Sequence, residues 1–250
     1  MGITPSDLQY FAPEILLALV AIVIFLLPRA SKNIPMVFAL GAIGLSFLGT
    51  VWFLFTGANT VMLFGSMEIN AFSELMKLIF LVLAGITILG SYNYLQNLRF
   101  AKEYISLLLV ATMGLMFLGS AGDFITLFVA FELVSISTYA LPIIDQKSEK
   151  GKEAAIKYFV TGAFSSALIL YGLSLLYGLT GSVQLSVVAT VLQASTLQPI
   201  LIVAMIFLLA GFGYKMAIVP FHLWAPDAYE GSPTPVSAFL AGITKKGAFV

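Results

Sequence analysis

Cysteine is absent from the 250 residues, and histidine occurs once, at His222. Without a thiolate the chain builds no disulfide, no thiolate zinc site and no iron–sulfur cluster, and a single imidazole excludes bis-histidine haem. Charge is scarce as well. Asp, Glu, Lys and Arg make up 10% of the residues, against about 25% in an ordinary globular protein. Twelve basic residues balance twelve acidic ones, which removes the basic footprint that nucleic acid requires. Apolar residues make up 60% of the chain. A soluble domain could not cover its surface with so few charges, so the sequence reads as an integral membrane protein that carries no electrons by itself.

The apolar residues fall into continuous runs near the roughly 20 residues a bilayer demands. They cover 11–27, 34–55, 73–95, 104–119, 124–144, 154–177, 197–224 and 235–250. The expected fold is therefore an all-α, polytopic transmembrane helical bundle with seven complete spans and a partial eighth. Transmembrane strands would alternate in short segments, and these runs do not. The first run lacks the basic flank and small-residue cleavage site of a signal peptide, and it carries Pro13 and Glu14. The last run supplies about 24 Å of helix and stops with no helix-ending Gly, polar cap or flanking charge, as expected of a piece of a longer protein.

Basic residues alternate between connections. Arg29 and Lys32, Arg99 and Lys102, and Lys147, Lys150 and Lys152 occupy every second one, while 57–72, 121–123 and 180–196 hold no Lys or Arg. The positive-inside rule then places the N-terminus on the non-cytoplasmic side. Within 180–196 the apolar spacing suggests a short interfacial helix.

Among the charges inside the runs are five lysines, Lys77, Lys157, Lys215, Lys245 and Lys246, and Glu132. Each costs about 2.5–3.5 kcal/mol at mid-span, so such a group persists where it faces protein or water, and function is the default reading. Glu132 lies about 13 Å along its helix from Asp123, with Ser135 and Tyr139 on the same face; a neutral packing carboxyl is the alternative. Lys77 is shallow enough to snorkel to the interface. Lys157 shares a face with Thr161 and Ser165, which suits a buried polar helix contact.

Lys215 precedes Pro220, which lacks the N–H for the carbonyl of Met216 and pushes Val219 out of the helical region. Span seven is therefore expected to be a broken helix, the kind that lines ion and proton sites in transporters. Lys215 is favoured as a cation by the helix C-terminus and as a neutral amine by burial, a balance that suits a proton carrier; an ordinary proline kink with a lysine reaching out of it is the alternative. Lys245 lies about 15 Å into its segment, and Lys246 points about 100° away. His222 follows the break and is either a proton relay or a hydrogen-bonded structural residue.

Several local sequences, taken in order, resemble a known family. They are Phe131-Glu132-Leu133, Lys157-Tyr158-Phe159, Ser165-Ser166-Ala167-Leu168, Tyr214-Lys215, the stretch Val219-Pro220-Phe221-His222-Leu223-Trp224-Ala225-Pro226-Asp227, Pro233-Thr234-Pro235-Val236, and Lys245. Together they resemble the antiporter-like membrane subunits, N-type in particular, of proton-pumping NADH–quinone oxidoreductase (respiratory complex I). The resemblance implies a protein about twice this length with two inverted five-helix repeats. Residues 1–102 would hold three N-terminal transmembrane helices, and 103–250 the first repeat, incomplete at its end. Glu132, Lys157, Lys215 and Lys245 match the family's intramembrane carboxylate and lysines, and Lys246 departs from the usual small or apolar neighbour.

The implied function is proton translocation in an energy-transducing membrane, the bacterial inner membrane, as one subunit of a translocase that couples NADH or a similar donor to quinone. Flavin, iron–sulfur clusters and quinone would reside in partner subunits, membrane and hydrophilic, with none in this chain. The rival readings are a multisubunit sodium/proton antiporter without redox partners and a non-pumping scaffold. Four or more deep charges are an expensive way to build the latter.

Overall fold

The computed structural model describes residues 8–28, 33–145, 148–194 and 198–249. Arg29, Lys32 and Lys147, the expected start of the seventh span at Leu197, and Val250 lie outside the described residues. A 3-10 turn, Leu8–Phe11, leads into α1 (Ala12–Leu26) and α2 (Asn33–Phe55). A hairpin of β1 (Thr60–Met62) and β2 (Met67–Ile69) precedes α3 (Ala71–Gly90), α4 (Tyr92–Asn97), α5 (Ala101–Gly119) and α6 (Phe124–Tyr139). Then come α7 (Glu149–Thr180), α8 (Leu185–Ala194), α9 (Pro199–Met216), α10 (Trp224–Gly231) and α11 (Thr234–Phe239). A π turn, Leu240–Thr244, joins α11 to α12 (Lys245–Gly247).

The chain is thus a polytopic helical membrane protein, as its composition demands. Six helices among the described residues are long and apolar enough to cross a bilayer: α1 with its leading turn, α2, α3, α5, α7 and α9. The expected fifth span is shorter than its apolar run. α6 has 16 residues, and it stops where Ser135, Ser137 and Thr138 turn their hydroxyls back on the carbonyls of Phe131, Leu133 and Val134 just ahead of Pro142. The eighth segment is likewise divided, by the π turn. The connection 180–196 does contain the expected short helix, α8, whereas the hairpin in 57–72 has no strand signature in the sequence.

Local caps set the helix starts. Asn70 Oδ1 accepts from the Ser73 N–H and Ser73 Oγ accepts from the Asn70 N–H, both at 2.9 Å, forming a reciprocal capping box on α3. Asp123 caps α6 through the Thr126 N–H at 2.6 Å, and Ser148 caps α7 through the Gly151 N–H. Pro stands in the first turn of α1 and opens α9.

α5 is the central helix. Tyr104, Ile105, Leu108 and Leu109 have no solvent exposure, and α5 packs against α1, α3 and α6. Large apolar side chains such as Leu45, Phe164 and Leu209 instead point outward, the arrangement that lipid rather than water tolerates.

The three connections free of Lys and Arg meet at one end of the bundle. Glu68 N–H donates to Ser120 O, Gly122 N–H to Ser66 O, Phe124 N–H to Val183 O and Leu185 N–H to Gly122 O. Gln184 Nε2 reaches Phe64 O at 2.6 Å, and Ser66 Oγ donates to Asp123 at 2.5 Å. Lys102, from one of the basic connections, instead donates to the carbonyls of Phe25 and Leu27 at the far end of α1.

The break in the expected seventh span is real, and it comes earlier than proline alone requires. α9 ends at Met216, and Ala217 takes a left-handed conformation (φ 54°, ψ 45°). Ile218 N–H donates to Gly213 O and Ala217 N–H to Tyr214 O, the paired bonds that close a helix when the next residue turns left-handed. Glycine is the usual residue there, and a Cβ in that region costs about 1–2 kcal/mol. Ala217→Gly should therefore raise the thermal midpoint of the subunit in lipid or detergent. An unchanged or lowered midpoint would show that the left-handed turn is not where the strain lies.

Candidate functional site

α9 and α10 run in succession along α7, so the break between them opens against the middle of one continuous 32-residue helix. Close approach is built in. Ser165 Oγ on α7 donates to Gly211 O on α9 at 2.8 Å. A Cβ at Gly211 would fall 2.5 Å from Ile169 Cγ1 and 3.0 Å from Ser165 O. One turn earlier on α7, Gly162 leaves room for the Tyr139 ring of α6.

This packing brings the deep charges of two spans together. Lys215 Nζ lies 3.8 Å from Glu132 Oε1, with side chains 11% and 26% exposed. Serines join them. Lys215 donates to Ser135 Oγ at 2.6 Å and to Ser166 Oγ at 3.2 Å, and Ser166 donates to Glu132 Oε1 at 2.5 Å. The pair therefore communicates through the Ser166 hydroxyl as well as directly. Lys215 stands in the last turn of α9, where the helix dipole favours a cation.

From Lys215 a narrow cavity runs between α6, α7 and α10, passing Ser135, Thr138, Tyr158 and Trp224 to Thr244. Its wall is aromatic. Trp224 stacks on Tyr158 at 4.9 Å and on Tyr214 at 5.5 Å between ring centres, and its Nε1–H donates to Tyr214 O. The hydroxyls of Thr138 and Tyr158 lie 3.1 Å apart. Outside the lining, Lys245 Nζ sits 4.9 Å from the Tyr229 ring centre and 5.9 Å from that of Trp224, whereas Lys246 lies over Phe249. The π turn just before Lys245 sets this aim. Aromatic faces hold a cation by about 0.5–2 kcal/mol, so Lys245 is seated where a charge can come and go.

The other two expected site residues stand apart. Lys157 is 45% exposed, paired with Glu153 at 2.8 Å and with Asp227 at 2.6 Å. Its expected buried helix contact is instead made one turn on, where Tyr214 OH donates to Thr161 Oγ1, and Thr161 in turn donates to Lys157 O. Lys157 therefore ties α7 to α10 beside the site rather than inside it. His222 lies in the link between α9 and α10. Its Nδ1 is buried with no hydrogen bond among the described residues.

Sequence reasoning missed two groups. Ser166 bridges the ion pair but looks like an ordinary small residue of a helix face. Lys77, read as able to snorkel, is wholly buried between Glu14 and Glu74, each 2.9 Å away. The i,i+3 spacing of Glu74 and Lys77 and a lone Glu14 in an apolar run were the available signals.

Residues 121–250 match the model of the transmembrane domain shared by NADH:quinone oxidoreductase and Mrp antiporters. Over 98% of its length the chain is 41% identical to subunit N of the F(420)H(2) dehydrogenase of Methanosarcina mazei, covering 52% of that protein. It is 40% identical to NADH-quinone oxidoreductase subunit N of Desulfitobacterium hafniense, over 97% of this chain and 50% of that one. A chain of respiratory complex I from Thermus thermophilus superposes with a TM-score of 0.78 at 31% identity, over 95% of this chain and 51% of the other. The chain spans about half the length of the curated relatives it matches. With the family match running from Ala121 through the Lys215 break and Lys245, the chain belongs to the NADH:quinone oxidoreductase/Mrp antiporter transmembrane family.

Proposed function

We propose that this chain forms the N-terminal, proton-translocating part of an N-type membrane subunit in a complex coupling electron transfer, from NADH or a similar donor to quinone, with proton pumping. The observation that carries the reading is the Glu132–Ser166–Lys215 group at the broken helix, where Lys215 lines a cavity walled by Trp224, the ring over which Lys245 lies. Residues 1–102 supply three transmembrane helices. Residues 103–250 supply the first of two inverted repeats, incomplete at its end, so that the chain as a whole has seven complete spans and a partial eighth. The membrane is the energy-transducing inner membrane, with the hairpin end and the N-terminus on its non-cytoplasmic side, as the alternating basic connections require.

Flavin, iron–sulfur clusters and quinone belong to the other membrane and hydrophilic subunits. Two relatives of nearly equal identity are named for different donors, F(420)H(2) and NADH, which supports leaving donor choice to those subunits. The same relatives weigh against an antiporter working without redox partners.

In this mechanism, redox events elsewhere shift the balance between Glu132 and Lys215. When Lys215 is drawn to Glu132 it holds its proton. When that attraction weakens, the proton passes along Ser135, Thr138 and Tyr158 towards Lys245, whose neutral amine accepts it and whose aromatic seat then holds the cation. Lys157, clamped by Asp227 and Glu153, and His222 flank the entry at the α9–α10 link.

The paired lysines test the proposal. Lys245→Met in the full-length subunit should lower protons pumped per electron to less than half of wild type, because Lys245 lies over Trp224, a ring of the cavity wall. Lys246→Met, which removes a charge lying over Phe249, should leave pumping near wild type. Equal effects of the two variants, measured in membranes at matched assembly, would refute the assignment of Lys245 as proton acceptor.

A further inference from the structure

Outside the Lys215 site, the deepest charges lie between the starts of α1 and α3. Glu14, Glu74 and Lys77 are 0%, 1% and 0% exposed. Lys77 Nζ sits 2.9 Å from Glu14 Oε1 and 2.9 Å from Glu74 Oε1. The second oxygens, Glu14 Oε2 and Glu74 Oε2, are buried and accept no hydrogen bond from the described residues.

Two carboxylates facing one ammonium carry a net negative charge if all three are ionised. The charged groups acting on Glu74 and Lys77 are Glu14 and each other. From α2, packed against both helices, come the neutral hydroxyls of Ser46 and Thr50, already spent on the carbonyls of Pro13 and Ser46. Gly119 of α5 lies against Met76 and Ser73 and adds no charge. The N-termini of α1 and α3 favour negative charge, but by less than desolvation disfavours an unpaired buried carboxylate. One proton on a free oxygen removes the imbalance. A pocket at the hairpin end, lined by Asn59, Asn70 and Phe72, also has Glu74 in its wall, next to water.

We propose that Glu14, Glu74 and Lys77 form a second proton-binding site, which holds one carboxylic proton at neutral pH and exchanges it with water at the hairpin end of the bundle. The proton arrives from hydronium and returns to water, and Lys77 keeps the remaining carboxylate ionised. This site lies in the first three helices, outside the cavity that Lys215 lines, and its test does not depend on pumping.

Dicyclohexylcarbodiimide adds to protonated carboxyls in apolar surroundings and leaves a stable acylurea that mass spectrometry can place. Native membranes containing the full-length subunit should give the adduct on Glu74 or Glu14 at neutral pH and markedly less of it at alkaline pH. Glu14→Gln and Glu74→Gln, each a mimic of the neutral carboxyl, should accumulate at wild-type levels. The double variant strands Lys77 without a carboxylate and should fall severalfold. Absence of an adduct on both glutamates at neutral pH, or loss of the subunit in both single variants, overturns the proposal in favour of a fully ionised clamp. Adducts found alongside wild-type pumping in Lys215 variants would uphold this site while removing the pumping role given to Lys215.

Discussion

Lys215→Ala in the full-length subunit should abolish most proton pumping per electron, and through coupling it should slow quinone reduction. The substitution leaves Glu132, among the described residues, with the Ser166 hydroxyl at 2.5 Å and without its cation. Breaking a fully buried pair costs about 3–5 kcal/mol, and the partial exposure of Glu132 places this loss at or below the lower end. Lys215→Arg separates the two roles of the lysine. It keeps the charge opposite Glu132, so the subunit should assemble at wild-type levels. A guanidinium does not give up its proton in a protein, so pumping should still fail. Glu132→Gln keeps an acceptor for the Ser166 hydroxyl and should assemble with reduced pumping, while Glu132→Asp should be milder than either Lys215 variant. The measurement is protons translocated per electron in membranes matched for assembly. Wild-type ratios in both the Ala and the Arg variants at 215 would end the case for Lys215 as a carrier.

Gly211→Leu should have the largest effect on stability. The added side chain begins 2.5 Å from Ile169 Cγ1 and 3.0 Å from Ser165 O, both on a helix that cannot yield locally. Overpacking of this kind costs about 1–3 kcal/mol, and relief requires α9 to move away from α7. That movement also draws Lys215 from Ser166, so pumping should fall together with the thermal midpoint. Gly211→Ala should show the same pattern to a smaller degree. A normal midpoint in Gly211→Leu would mean that the two helices have room between them.

Composition alone placed the chain in a membrane, because so few charges cannot solvate so much hydrocarbon. Charge depth drew attention to Glu132 and Lys245, the Pro220 break to Lys215 and His222, and a polar helix face to Lys157. Pro220 announced the broken helix through its missing N–H, and the alternating basic connections grouped three loops that the structure does bring together through Ser66, Gly122 and Val183. These features were legible because each is a property of a residue type or of spacing along one helix.

What the sequence could not supply was distance between helices. Lys157 and Lys215 look alike as lysines within apolar runs, yet one pairs with Asp227 at the half-exposed rim and the other turns inward to Ser135 and Ser166. Only the approach of α7 and α9 across Gly211 separates them. Lys245 and Lys246 are neighbours in sequence, and the π turn ahead of them decides which one meets Tyr229 and Trp224. Lys77 looked able to reach the interface until α1 laid Glu14 against it from more than sixty residues away. A single chain read in order shows which groups are costly to bury. Their partners are settled by helix packing, because the free energy of a buried charge depends on what stands within a few ångströms of it rather than on its place in the sequence.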